Sequence, residues 1–483
     1  MKKFKTSALL LCAISSIAML SSCGNKRANE NSIQFWHTFG KEIVAKLEKQ
    51  ISAFEKVIYE RDGVSISIEQ SYQGDYAALS DKILNGYATG NTPTITVAYP
   101  DNIADYLELE NNKGDLVVNL DDYINSPEYG LGVKDEIFKE ETKVSDIVES
   151  FYEEGKNYKY EGTYSIPLMK STEIMLYNQA VVSRALLDLG IEKDVDRYMK
   201  NITWDEFMTL LQQIANNFDK YGMKDPKGGD SYALYYDSDA NLFITQCYQR
   251  GIDYISMKDG KGSIDFNNSK AVELLNEFKG MRDAKLLTTK GSTDGKYGSD
   301  YFKAMRTAFV VGSTGGSGYS DPGVSFNVGV CKFPSYKGVP AERQKYVSQG
   351  VTLGLLKNSS ASKEVNDKKA RYGWEFIKYI TSPTNNVDLA MESKGYVPVR
   401  YSAYETESYQ EFLNIKDEKD YSVKVANGVI NEINGNYFNY PVFKGSAEAR
   451  TQSEGAVKQV LLGKLTPEKA LEEAYKEAIK KAQ

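Results

Sequence analysis

Residues 162–178 read GTYSIPLMKSTEIMLYN. Within these seventeen residues a Tyr-Ser-Ile-Pro run leads into the polar step Lys170-Ser171-Thr172-Glu173 and then the apolar run Ile174-Met175-Leu176-Tyr177. A short apolar run held between a glycine-containing turn and Asn178 reads as a buried strand, and the polar step interrupts an otherwise buried path. Such a step suits a chain crossing between two lobes.

On the amino-terminal side, Lys2, Lys3 and Lys5 precede an apolar core, Ala8 to Leu20, and then Leu20-Ser21-Ser22-Cys23. This reads as a secretory signal of the lipoprotein type over residues 1–22. It is too short to span a membrane and leaves Cys23 to be lipidated at the new N-terminus. Residues 24–31, GNKRANEN, are polar and without apolar period, so residues 23–31 read as a lipidated tether. Loss of the three signal lysines takes the formal charge from −7 to −10, which argues against nucleic acid as a partner. Membrane contact is then expected through the lipid alone. Cys247 and Cys331 are the two thiols left after cleavage and lipidation. They form no disulfide framework, and the reading favours two buried thiols.

Next, Ile33-Gln34-Phe35-Trp36 reads as a strand. The spacing of Ile43, Val44, Leu47, Ile51, Phe54, Val57 and Ile58 predicts a helix that ends at Asp62-Gly63. A strand through Val64, Ile66 and Ile68, a helix over 76–87 and a strand over 94–98 follow. This alternation implies right-handed crossovers in a mainly parallel sheet, with ligands expected at the carboxyl ends of its strands. Those ends carry Trp36-His37, the Gly74-Asp75-Tyr76 turn and Tyr99-Pro100-Asp101. Further on, Thr203 and Glu206 make a capping box ahead of an apolar helical face. Ala308-Phe309-Val310-Val311 runs into the glycine-rich turn Gly312 to Gly318, and Thr466-Pro467-Glu468 starts a last helix.

Taken in order, these segments resemble the family 1 extracellular solute-binding proteins, the ligand receptors of bacterial ABC importers for sugars and glycerol phosphate. The resemblance rests on the 162–178 crossing, Thr203-Trp204, the 308–318 strand and turn, Ser348-Gln349-Gly350-Val351-Thr352 and Gly395-Tyr396-Val397-Pro398. It covers residues 33 to 480 with gaps. It implies a two-lobe α/β fold of the type II periplasmic-binding-protein (Venus-flytrap) kind, each lobe a mainly parallel sheet flanked by helices and discontinuous in sequence. Residues 32–170 with 330–382 are expected in one lobe and 171–329 with 383–483 in the other. Hinges are expected near 169–174 and 327–331, with a further crossover near 383. It also implies a lipid-anchored monomer on the extracytoplasmic face, working with ABC permease subunits, without cofactor or catalysis.

A sugar site needs flat apolar faces and planar polar groups shielded from water. With 35 tyrosines and 3 tryptophans the chain has aromatic surface in plenty. By motif position Trp36, Tyr76 and Tyr396 are candidate stacking or hydroxyl-bonding groups, Trp36 being as readily a core residue. Trp204 and Trp374 fall inside helical patterns and read as core. Asp101 ends the third strand. Ser171 and Thr172 are candidate donors in the crossing, with the alternative that they satisfy neighbouring backbone groups. Ser313, Thr314 and Gly350 offer close backbone approach. The relatives that bind glycerol phosphate are similar at Phe35-Trp36-His37, at Gly74-Asp75-Tyr76 and at the Ser171-Thr172 step. Where they carry aromatic residues this chain has Asp237-Ser238-Asp239. Where they carry an anion-binding arginine it has Lys444, with Arg450 aligned elsewhere. Asp237 and Asp239 therefore point to a sugar, an oligosaccharide by preference, while Lys444 keeps a glycerol phosphate or glycerophosphodiester reading open.

The chain contains one histidine, His37, so a multi-histidine metal site is excluded. No Gly-x-Ser-x-Gly elbow occurs. A glycosidase needs only two carboxylates, which 66 acids cannot refute. An adhesin built on the same fold remains the third reading.

Overall fold

A computed structural model describes residues 30–109, 115–133, 142–191, 194–293, 295–415, 421–433 and 435–482. The expected signal segment and Cys23 lie outside these residues. The amino-terminal part includes β1 (Ser32–His37), α1 (Lys41–Asp62), β2 (Ser67–Tyr72), α2 (Tyr76–Tyr87), β3 (Ile95–Ala98), α3 (Pro100–Leu107) and, further along, β4 (Ile166–Ser171). The apolar stripe of α1 buries Leu47, Ile51, Phe54 and Ile58, and Gly63 ends the helix with a left-handed φ of 67°.

The chain continues through β5 (Glu173–Asn178), α4 (Trp204–Ala215), β6 (Tyr232–Tyr236), α5 (Asp239–Arg250), the hairpin β7 (Ile255–Lys258) and β8 (Lys261–Ile264), β9 (Leu287–Thr289), β10 (Thr307–Ser313), β11 (Val328–Cys331) and β12 (Tyr346–Val347). It ends with β13 (Gln349–Leu355), α6 (Lys363–Ile380), α7 (Pro383–Ser393), β14 (Tyr437–Phe438), α8 (Ser446–Leu461) and α9 (Pro467–Ala482). The Thr203–Glu206 capping box starts α4 as the spacing predicts.

Two five-stranded sheets carry the fold, ordered β2-β1-β3-β13-β4 and β11-β5-β10-β6-β9. In the first, β13 is antiparallel to both neighbours, and in the second β5 is. Each sheet is thus mixed, with four strands in one direction and a single reversed strand. Each lobe has its own core, one around Phe35, Phe54, Leu168 and Trp374 and the other around Phe207, Phe309, Phe243 and Val457. Trp204 and Trp374 are both buried.

Thr172 separates β4 in the first sheet from β5 in the second, so the first crossing falls where the polar step predicts. The other two crossings lie elsewhere than expected. β11 stays in the second sheet, and Phe333, Tyr346 and Val347 belong to the second core, so the return to the first sheet is made at Ser348, not near 330. The Pro334 and Lys337-Gly338 turns precede β12, which pairs with β14 before the chain crosses. Residue 383 is no crossover either. Pro383 is the first residue of α7, whose Leu389 lies in the first core, and a Ser-Pro pair here starts a helix instead of linking lobes. The third crossing comes at Tyr396–Val399, where Val397 joins apolar neighbours of the second sheet and bridges Lys170.

Candidate ligand cleft

The three crossings meet at Lys170. Its backbone pairs with Val397 in both directions (3.1 and 2.8 Å), its register partner across the strands is Gly350, and its ammonium lies 2.5 Å from Glu154 Oε2. Lys170 and Glu154 are both buried, and the Ser348 hydroxyl donates to the other Glu154 oxygen. A buried ion pair costs desolvation that only good geometry and extra hydrogen bonds offset, and both are present. Gly350 holds φ +103°, and a Cβ there would overlap the Met169 carbonyl, so the strands approach each other only with glycine at this position.

Beside this junction a cavity of about 870 Å³ lies between the lobes. From the first lobe come Tyr76, Tyr99, Asp101, Asp105 and Glu108, from the second Tyr254, Tyr440, Lys444 and Arg450, and from the crossings Glu154, Lys170, Gln349 and Gly350. Asp101, Asp105 and Glu108 follow at i, i+4 and i+7 along and just past α3, which puts three carboxylates on one face. The Tyr76 and Tyr99 rings sit 4.2 Å apart at 36°, and Tyr396 is close to both. Burial raises all three phenols, which stay protonated and able to donate.

Burial also pushes the Asp101 carboxyl up, and the nearby Arg450 guanidinium opposes that rise. Asp105 is pushed up to about 7 by burial, against a hydrogen bond from the Gly445 N–H. Arg450 itself donates to Asn241 Oδ1, and Asn241 Nδ2 donates to Glu173 Oε1 at 2.9 Å. Glu173, in the first crossing, also accepts from the Tyr236 hydroxyl and is raised to about 7 by its burial. A polar chain thus runs from the crossing to the cleft.

Of the candidates named from sequence, Tyr76, Asp101, Gly350 and Lys444 line the cavity, with Tyr396 against the Tyr76–Tyr99 pair. Ser171, Thr172, Ser313 and Thr314 are brought together but bond to one another and to backbone. Thr172 donates to Val347 O (2.9 Å), the Thr172 N–H to Thr314 Oγ1 (3.3 Å) and Ser313 Oγ to Ser171 Oγ (3.3 Å). They fasten the crossing and are absent from the cavity wall.

Trp36 packs against the first core and is likewise absent from that wall. Asp237 and Asp239 are corrected too. Asp237 accepts from the Gly298 N–H (2.7 Å), and Asp239 from Thr289 Oγ1 (2.5 Å) and the Gly291 N–H (2.9 Å). Burial raises both to about 6. Both pin the loop that follows β9, Asp239 with two donors and Asp237 with the Gly298 N–H, and neither lines the cavity.

His37 is buried, accepting the Phe39 N–H on Nδ1 (3.1 Å) and donating from Nε2 to Gln70 Oε1 (2.6 Å), so it is neutral and structural. Cys247 and Cys331 are both buried. Among the described residues no cluster of His, Cys, Asp or Glu is placed to hold a metal ion, and no helix is long and apolar enough to cross a membrane.

Sequence reasoning placed Tyr99 at a ligand-facing strand end without a role, set Arg450 aside as aligned elsewhere, and missed Asp105 and Glu108. On α8, Ala447, Arg450 and Thr451 stand at i, i+3 and i+4 in the first two turns and line the cavity together.

Residues 49–416 match the family model described as bacterial extracellular solute-binding protein. The chain belongs to that family. A search of curated protein sequences finds no match for this solute-binding protein. Solved structures share its fold. The GacH receptor of Streptomyces glaucescens, in a study that includes its acarbose complex, is 18% identical with TM-score 0.65, over 93% of this chain and 98% of that one. UgpB from Mycobacterium tuberculosis, in complex with glycerophosphocholine, is 18% identical with TM-score 0.65, over 93% and 97%. Lmo0181 from Listeria monocytogenes, in complex with cycloalternan, is 15% identical with TM-score 0.66, over 93% and 98%.

Proposed function

We propose that this solute-binding protein captures a carbohydrate, an oligosaccharide by preference, in the cleft between its lobes and delivers it to the permease of an ABC importer. The observation that carries this reading is the cavity of about 870 Å³, in which the Tyr76–Tyr99 pair faces carboxylates and an arginine. Its size falls within the usual small-molecule range of roughly 300–1,000 Å³. Rings offer faces to sugar C–H groups, and carboxylates and guanidinium offer paired bonds to hydroxyls. Ligand that touches both lobes stabilises the closed form by its differential affinity, and no bond is made or broken. Lipid on Cys23 would hold the protein at the extracytoplasmic face, and mass spectrometry of the mature N-terminus tests that.

Arg450 and Lys444 in the cleft wall favour one second reading, a glycerophosphodiester or glycerol phosphate ligand. A thermal-shift panel on the soluble chain from residue 25 separates the two. Mono- to tetrasaccharides are expected to raise Tm, because binding to the native state alone stabilises it. A rise with glycerol 3-phosphate or glycerophosphocholine alone would overturn the carbohydrate reading.

A further inference from the structure

The turn that leads into α8 faces the opposite lobe, and the Ser446 N–H bonds back to Phe443 O (2.9 Å) as the first of the helix. Its N-cap is Gly445, at φ +92°, which has no side chain to accept the free N–H groups of a helix start. A Cβ at Gly445 would meet Ala482 at 2.8 Å, so the close approach of α9 excludes the usual Ser, Thr or Asp here. The two N–H groups just ahead of the helix find their acceptors on α3 and the residue after it, across the cleft. The Gly445 N–H donates to Asp105 Oδ1 and the Lys444 N–H to Glu108 Oε1, each at 3.3 Å. Asp105 also faces Asp101 and Glu108 on its own side and Lys481 of α9 on the other. Two carboxylates of the first lobe thus take the backbone donors just ahead of α8 when the lobes are together, and they occupy a helix start in the cleft where backbone donors and helix dipole favour an anion.

We propose that Asp105 and Glu108 are closure-determining residues: by capping α8 from the opposite lobe they hold the ligand-free protein partly closed and keep anionic ligand groups out of that helix end. The proposal rests on the two-lobe closure reading above. It makes the preference for uncharged over anionic ligand groups a consequence of the protein's own carboxylates, independent of which sugar is bound.

The test measures the distance between lobes in the ligand-free soluble chain. Spin labels on Tyr59→Cys and Tyr297→Cys suit it, since both positions are exposed, on opposite lobes, and the native thiols are buried. Wild type is expected to show a short-distance population that D105A/E108A loses. Inorganic phosphate is expected to raise the Tm of the alanine variant by taking the vacated helix end, and to leave that of wild type unchanged. D105A and E108A singly, each expected to lose part of the population, serve if the double variant does not fold. An alanine variant with the wild-type distances overturns the latch, and one whose Tm phosphate leaves unchanged overturns the exclusion of anions, both leaving lobe closure intact. A wild type with no short-distance population even with a ligand found by thermal shift overturns both.

Discussion

The two lobes share one plan and differ in what they bring to the cleft. In each, the reversed strand is the one that has just arrived from the other lobe: β5 follows the first crossing and β13 the second. The first lobe then presents carboxylates from one short helix, Asp101, Asp105 and Glu108. The second presents Lys444, Arg450, Lys480 and Lys481 from α8, α9 and the segment before them. Equivalent sheets thus carry unlike charges, and the difference teaches that lobe recognition in this chain is written in the loops and helix ends, not in the sheets.

The comparison is most easily broken at the crossings. Lys170→Ala leaves Glu154 buried without its cation, and a loss of about 3–5 kcal/mol is expected in denaturant unfolding of the ligand-free protein. An unchanged midpoint would mean that the junction tolerates a lone carboxylate. Next comes Gly350→Ala, which combines a positive φ with overlap on Met169 and should cost about 2 kcal/mol.

A sharper contrast sets a cleft residue against a loop anchor. Tyr76→Ala should weaken sugar binding about tenfold or more, a loss of about 1.4 kcal/mol or more, with little change in ligand-free Tm. Asp237→Ala should lower Tm, by the about 1–3 kcal/mol of an unsatisfied Gly298 N–H, and leave affinity near wild type. Calorimetry on both variants checks the pair, and a crossed result would return Asp237 to the binding site.

The buried acids give a pH signature. Glu173 and Asp105 are raised to about 7, and Asp237 and Asp239 to about 6, so the native state holds protons that the unfolded chain releases. Stability is then greatest on the acid side of this window and falls as pH rises through about 7. Tm measured from pH about 5 to about 8 should fall, and Glu173→Gln should flatten that slope; parallel slopes would remove Glu173 as a source. The smallest effect is expected for Lys444→Ala. Its N–H, not its ammonium, bonds Glu108, so stability should change by less than about 0.5 kcal/mol.

Much of the architecture was legible because it is written locally. The α1 stripe, the Thr203–Glu206 box and the 162–178 crossing each depend on neighbours within a few residues. The second and third crossings were misplaced because proline and glycine punctuation looks alike whether the chain changes lobe or only turns into β12 or α7. The cavity lining was legible where a strand end fixes it, at Tyr76 and Asp101. It was misread at Asp237 and Asp239, whose donors arrive from residues 289–298. Asp105, Glu108 and Arg450 were hidden because their meaning depends on the facing lobe, far away in sequence.

The approach of α9 to Gly445 has a practical side. Ala482 packs against the N-cap of α8, and Lys480 and Lys481 stand in the cleft wall. Any purification tag, fluorescent protein or surface tether joined after that helix would emerge at the mouth of the cavity and obstruct it. Fusions for a biosensor belong instead on the amino-terminal side, ahead of β1, where the described chain begins away from the cavity wall.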